Sequence, residues 1–269
     1  MELKIGCTGW GYPEWEGTFY PKTVKQKDWL RHYSSIFEIT EVNSSFYRVI
    51  PKWMSAKWNK ETPSSFRFSL KFPQMITHEN KLDYDKSKEV LHSFFSGLEP
   101  LKEKIEVLVL QLPPSLKFEK AKLHLEELSQ HLPHYCRYAV EGRDESWFSE
   151  VSLDFLSQKN FCLVWNEVPM VDNPAPITTD FVYARLIGDR SLPEGVYDHP
   201  VRDQSKTIQK WADRLMDLQN NNRIKFSWAV LNNHLEGFAP FSANTLRVML
   251  KMNELSFKDK KQKSVFDFN

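Results

Sequence analysis

Along the 269 residues of this chain, an apolar run ends in polar or charged residues and gives way to a helical pattern eight times. The clearest runs are Val107–Gln111, Tyr138–Arg143, Phe161–Asn166, Val182–Arg185 and Trp228–Asn233; LKIGCTG, EITEVN and FRFSLK are weaker examples. A strand that is apolar along its whole length is buried on both faces, as in a parallel sheet covered by helices. Eight such runs give about 34 residues per unit, which is the arithmetic of a (β/α)8 barrel of roughly 250 residues. The predicted fold is therefore α/β, a single (β/α)8 TIM-type barrel with eight parallel strands. The barrel domain is assigned to residues 1–255, and residues 256–269 read as a polar, lysine-rich tail.

The predicted strands are Lys4–Thr8, Glu38–Asn43, Arg67–Lys71, Glu106–Gln111, Arg137–Glu141, Phe161–Asn166, Phe181–Ile187 and Lys225–Asn232. Helical periodicity fills most of the intervals, as in Ile208, Trp211, Ala212 and Leu215. The link between the sixth and seventh strands, Glu167–Thr179, is too short and proline-rich for a full helix, so one irregular unit is expected there. These apolar stripes read as core contacts rather than cofactor boxes.

Composition narrows the function classes. The net charge is +1, from 36 basic and 35 acidic side chains, which gives no global steering toward nucleic acid or membrane. No stretch approaches the roughly 18 apolar residues of a membrane span. The N-terminus runs straight into a strand, so no signal peptide is expected. Cys7, Cys136 and Cys162 lie in or beside strands at wide spacing, which predicts reduced, packed thiols in a cytoplasmic protein. A dinucleotide fingerprint, a P-loop and an H-E-x-x-H zinc motif are all absent from the sequence. Only His78 and His234 of the eight histidines fall near strand ends, so neither a metal nor a cofactor is predicted.

In a closed parallel barrel the C-terminal strand ends converge on one mouth, where barrel function resides. Those ends carry Glu41, Asn43, Lys71, Gln111, Glu141, Arg143, Asn166, Arg185, Asn232, Asn233 and His234. Lys71, Arg143 and Arg185 supply a fixed positive field, and arginine offers paired donors suited to carboxylate or phosphate. Glu41, Glu141 and His234 are the candidate acid–base groups. The amides Asn43, Gln111, Asn166, Asn232 and Asn233 are candidates for orienting a ligand. Trp10, Tyr12, Tyr47 and Trp147 are candidates for a stacking surface. Three cations against Glu41 and Glu141 leave one positive charge in excess, which predicts a phosphate, sulfate or phosphorylated metabolite held mainly by Arg143 and Arg185.

Several segments together resemble one family. They are Gly6–Pro21, Glu41–Pro51, Phe66–His78, Leu110–Leu116, Val140–Phe148, Ala184–Gly188 and Leu231–Ala243. In order and over nearly the whole chain, they resemble the domain of unknown function 72 family, also called YecE-like. The resemblance implies a (β/α)8 barrel and brings no established activity with it. Some members are similar to endonuclease IV-like and xylose isomerase-like barrels, which bind metals and phosphodiesters or sugars. This chain departs from the family pattern where Ile187 replaces a common histidine and Asn166 a common aspartate; both departures remove a metal ligand or proton carrier. The leading expectation is an enzyme or enzyme-like protein, a hydrolase or a lyase/isomerase with glutamate acid–base chemistry, acting on a small anionic, phosphorylated or nucleotide-like ligand. The alternative is a non-catalytic protein that binds nucleic acid or another phosphodiester. A glycosidase is disfavoured, because Gln111 and Arg185 stand where barrel glycosidases carry carboxylates. No membrane partner is expected, and the oligomeric state is left open.

Overall fold

The computed structural model describes residues 2–169, 171–189, 191–192 and 195–257. Nine strands among these residues form one all-parallel, nearly closed, barrel-like sheet. They are β1 (Glu2–Thr8), β2 (Ile39–Val42), β3 (Arg67–Lys71), β4 (Ile105–Gln111), β5 (Arg137–Glu141), β6 (Phe161–Leu163), β7 (Trp165–Glu167), β8 (Phe181–Leu186) and β9 (Phe226–Leu231). Their spatial order is β6-β5-β4-β3-β2-β1-β9-β8-β7. The first and last strands of the chain are neighbours, with Ile5 opposite Ala229.

Nine strands stand where eight runs were expected, and the difference lies at the irregular unit. The sixth predicted run is two strands separated by Val164: β6 pairs with β5, and β7 pairs with β8. Side chains of the following loop explain the break. Asn173 donates to the Val164 carbonyl at 2.9 Å, and Thr178 accepts from Leu163 N at 2.9 Å while donating to Phe161 O at 2.8 Å. These bonds take backbone groups that a neighbouring strand would otherwise pair.

The helices that cover the sheet are α1 (Trp29–Ile36), α2 (Ser44–Tyr47), α3 (Lys52–Glu61), α4 (Tyr84–Leu98), α5 (Phe118–Ser129), α6 (Glu150–Gln158), α7 (Ser205–Asp217), α8 (Asn233–Glu236) and α9 (Ala239–Met249). In α7 the buried residues are Ile208, Trp211, Ala212 and Leu215, one stripe at helical spacing. Asp83 caps α4 and Ser149 caps α6 through their side-chain oxygens. The stripe of α4 continues to Leu101, but the chain tightens into a 3-10 turn over Glu99–Lys104, because Pro100 has no N–H for an α-helical bond.

Two cores result. One lies between strands and helices and includes Phe68, Leu108, Leu110, Trp147 and Trp211. The other fills the barrel lumen with Ile39, Val107, Val109, Ala139, Cys162, Val164, Phe181, Tyr183, Phe226, Trp228 and Val230. Burying one Phe- or Val-sized side chain contributes about 1.5–3 kcal/mol. At the N-terminal end Arg137 closes this lumen, its guanidinium 4.7 Å from the Phe226 ring and ion-paired to Asp180 at 3.1 Å. Gly6 lets β1 approach β2: a Cβ there would stand 2.3 Å from the Ile39 carbonyl oxygen. All three cysteines are free thiols, and burial raises Cys162 to about 12 and Cys136 to about 11. Phe257 lies against Phe19 at 5.1 Å, so the packed chain reaches two residues past the expected boundary at 255; residues 258–269 of the expected tail lie outside the described residues.

Candidate functional site

The C-terminal end of the lumen is polar where the rest is apolar. A strand's side chains alternate between faces, so Glu41, Lys71, Gln111, Glu141, Asn166 and Arg185 continue the inward rows of their strands, and all six are buried. Above them opens a cavity of about 750 Å³, within the range of small-molecule sites.

Arg185 is the hub of the buried layer. Its Nε donates to Glu41 Oε2 at 2.7 Å and its Nη2 to Glu41 Oε1 at 2.8 Å, while Nη1 touches Glu141 Oε2. Tyr183 donates its hydroxyl to Glu41 at 2.9 Å and lies 2.5 Å from Ser69 Oγ. Arg143 holds Glu141 Oε1 through Nε at 2.8 Å and Nη2 at 2.7 Å. Lys71 Nζ stands 3.9 Å from Glu41 and 5.9 Å from the Phe46 ring centroid. Burial alone would raise the Glu41 carboxyl. The charges of Arg185 and Lys71, with hydrogen bonds from Arg185 and Tyr183, outweigh it and hold the group below the ordinary carboxylate range. Glu41 is therefore an anion at neutral pH.

The cavity wall is built from loops that leave the strand ends. Lys71 ends β3 and Gln74 and His78 follow it, Gln111 ends β4, Arg143 follows β5, and Asn43, Phe46 and Tyr47 follow β2. On the other side stand Tyr12, Pro13 and Glu14 from the β1 loop, Ile187, Leu192 and Tyr197 after β8, and Asn232, Asn233 and His234 after β9. Asn232 caps α8 by accepting from His234 N at 2.9 Å and donates to Thr8 at 2.6 Å. Gly188, at φ +74, permits the close approach to His234, whose carbonyl oxygen would lie 2.7 Å from a Cβ.

Of the residues expected at the mouth, Asn43, Lys71, Gln111, Arg143, Arg185, Asn232, Asn233, His234, Tyr12 and Tyr47 line this cavity. Glu41 and Glu141 lie beneath it, engaged with cations, and do not form its wall. Asn166 is buried under the β7 loop, its Oδ1 accepting from Asn173 at 2.8 Å. Trp10 turns outward to pack edge-on against Trp58 at 5.3 Å. Trp147 is core: its Nε1 donates to Leu116 O at 2.9 Å, and it lies over Gly142, where a Cβ would meet Trp147 Cβ at 2.4 Å. Arg185 lines the floor of the cavity while its guanidinium engages both Glu41 and Glu141. The sequence reading passed over His78, Gln74, Glu14 and Tyr197 as site residues. His78 stood near a strand end, and a π-helical turn over Met75–Glu79 brings it back to the mouth. Burial, then the charges of Arg143 and Lys71, lower its pKa.

The family model described as "Protein of unknown function DUF72" matches residues 4–264. The chain belongs to the DUF72 family. The UPF0759 protein YunF of Bacillus subtilis (strain 168) is 33% identical over 167 residues, 59% of this chain and 58% of that protein. The UPF0759 protein YecE of Escherichia coli (strain K12) is 26% identical over 148 residues, 55% of this chain and 51% of that protein. The matched stretches thus span little more than half the length of these curated relatives. Among solved structures, a DUF72 family protein of Thermotoga maritima MSB8 superposes with a TM-score of 0.78 at 26% identity, over 93% of this chain and 100% of that one. A DUF72 family protein of Enterococcus faecalis V583 gives a TM-score of 0.77 at 19% identity, over 96% of this chain and 99% of that one, which speaks for the fold alone. Among the described residues no helix is long and apolar enough to cross a membrane, and no three His, Cys, Asp or Glu side chains gather as a metal site.

Proposed function

We propose that the mouth of this DUF72 protein binds a small phosphorylated molecule, with Lys71 and Arg143 as its anion contacts. One observation carries the reading. Lys71 and Arg143 form a cavity wall while Glu41 and Glu141, which restrain them, stay below it. Arg143 spends Nε and Nη2 on Glu141, and its Nη1 has no hydrogen bond among the described residues. Arg185, at the cavity floor, locks both carboxylates in place. Among the described residues Glu14 is the one carboxylate in the wall, and it lies in the β1 loop, across the sheet order from β5 and Arg143. The cavity is thus positive on one side and acidic on the other. Proton transfer in such a site falls to His78 or His234, which line it, rather than to the buried glutamates. We read β6 and β7 as one interrupted strand, which makes the scaffold an eight-stranded (β/α)8 barrel with its site at the usual face.

The test is calorimetric titration of inorganic phosphate, sugar phosphates and nucleotides against the wild type, Lys71→Met and Arg143→Met. A hydrogen bond to a charged group is worth about 1.5–3 kcal/mol, so Arg143→Met lowers affinity about tenfold to a hundredfold. If no anion binds the wild type, or the variants bind equally well, the cations serve only the structural network.

A further inference from the structure

We infer that Asn233 is the second recognition point of this cavity, and that the ligand is a phosphorylated sugar or polyol whose neutral oxygen accepts a hydrogen bond from Asn233 Nδ2. The inference rests on the phosphate site proposed above and adds the chemistry of the rest of the molecule. Asn233 is only 2% exposed, yet it belongs to the cavity wall. Its amide is oriented by two donors: Trp15 Nε1 gives to Oδ1 at 3.3 Å, and Ala239 N, at the start of α9, gives to the same oxygen at 2.9 Å. Flipping the amide would set its NH2 against both N–H groups. Nδ2 is therefore a committed donor, and it has no partner among the described residues. A buried donor without an acceptor is costly to the fold, so its retention calls for a reason.

The neighbours specify what the acceptor belongs to. Glu14, on the same side of the cavity, can only accept when ionised. A hydroxyl both donates and accepts, so one hydroxylated fragment satisfies Asn233 and Glu14 together. A second phosphate would face the Glu14 charge, and an apolar body would leave both groups unmet. Tyr12 and Tyr197, with ring centroids 6.1 Å apart and planes at 86°, add flat apolar surface beside them. Lys71, at the end of β3, and Arg143, after β5, meanwhile lie across the barrel from the β9 end that carries Asn233. The ligand thus has its charge at one end and its hydroxyls at the other.

The experiment uses Asn233→Asp. Aspartate keeps an oxygen for Trp15 Nε1 and Ala239 N, removes the Nδ2 donor and adds a negative charge. Affinities of wild type and variant are measured by calorimetry for inorganic phosphate, glucose 6-phosphate, ribose 5-phosphate and glycerol 1-phosphate, with thermal denaturation as the check on folding. In the wild type at least one organic phosphate is expected to bind about tenfold or more tighter than inorganic phosphate. In Asn233→Asp that ratio should fall by about tenfold. The added charge weakens every anion, which is why the ratio is the readout. If none of the four binds the wild type, the phosphate site itself fails. If they bind but the wild-type ratio stays near one, or the ratio is unmoved in a folded Asn233→Asp, the Asn233 assignment fails and the phosphate site stands. A variant that does not fold leaves the wild-type ratio to decide.

Discussion

Replacing Arg185 with methionine is the sharpest perturbation of the buried layer. Arg185 is 1% exposed. Its bonds to Glu41, at 2.7 and 2.8 Å, and its contact with Glu141 place one cation between two carboxylates that are both 0% exposed. Methionine occupies similar volume without charge, so packing loss is small and the electrostatic loss dominates. Removing one partner of a buried ion pair costs about 3–5 kcal/mol, because the charge left behind has neither water nor a counter-ion. Lys71, at 3.9 Å, and Tyr183 continue to stabilise Glu41, which argues for the lower half of that range. For a chain of this size the loss corresponds to a fall in melting temperature on the order of 10 °C.

The assay is urea denaturation of Arg185→Met, Glu41→Gln and the double variant at neutral pH. The double variant should recover part of the loss, because a neutral amide at position 41 no longer requires a cation. The single variant's deficit should shrink as the medium becomes acidic enough to protonate Glu41. An Arg185→Met variant within about 1 kcal/mol of wild type, or a double variant whose losses simply add, would refute the charge-network account.

Other consequences are simpler to check. Glu41 is held below its ordinary value of 4.5, so its contribution to stability is fully present above that value and is lost as pH falls through the lower folded-state pKa; denaturation midpoints should decline across that acidic window, and Glu41→Gln should flatten the decline. Gly142→Ala, which sets a Cβ 2.4 Å from Trp147, should destabilise by about 1–3 kcal/mol in thermal melts. Thr178→Val removes the hydroxyl that accepts from Leu163 N and donates to Phe161 O; it should cost about 1–3 kcal/mol and raise amide exchange at Leu163.

Much of the barrel was legible because a strand buried on both faces announces itself as a continuous apolar run. β3 and β5 begin and end where the runs do, at Arg67–Lys71 and Arg137–Glu141. The division at Val164 was not legible, since it depends on which backbone groups Asn173 and Thr178 reach across a loop. The single turns α2 and α8 escaped because four residues carry no period. At the mouth, strand ends nominated Lys71, Arg143 and Arg185, which all line the cavity, but could not tell that Glu41 and Glu141 lie beneath it. That distinction needs the register that sets Asn166 beside Arg185 and Gln111 beside Glu141. The aromatics were ambiguous for the same reason: Trp10 and Trp147 follow strand ends as Tyr12 and Tyr47 do, yet they pack against Trp58 and Gly142 instead of the cavity.

The depth order of the charges gives the site its rigidity. Cations exposed to a cavity repel one another and drift into solvent unless something below them holds position. Here Glu141 fixes Arg143 through two nitrogens, and Glu41 faces Lys71 at 3.9 Å. Arg185 joins the two carboxylates, and Tyr183 and Ser69 extend the network into the lumen. Each link leaves the lower group neutralised and the upper group oriented. If the mouth binds an anion as proposed, the donors it meets are already ordered in folding, so less binding energy is lost to immobilising side chains. The same arrangement favours the ionised form of Glu41, because Arg185, Lys71 and Tyr183 all stabilise its negative charge.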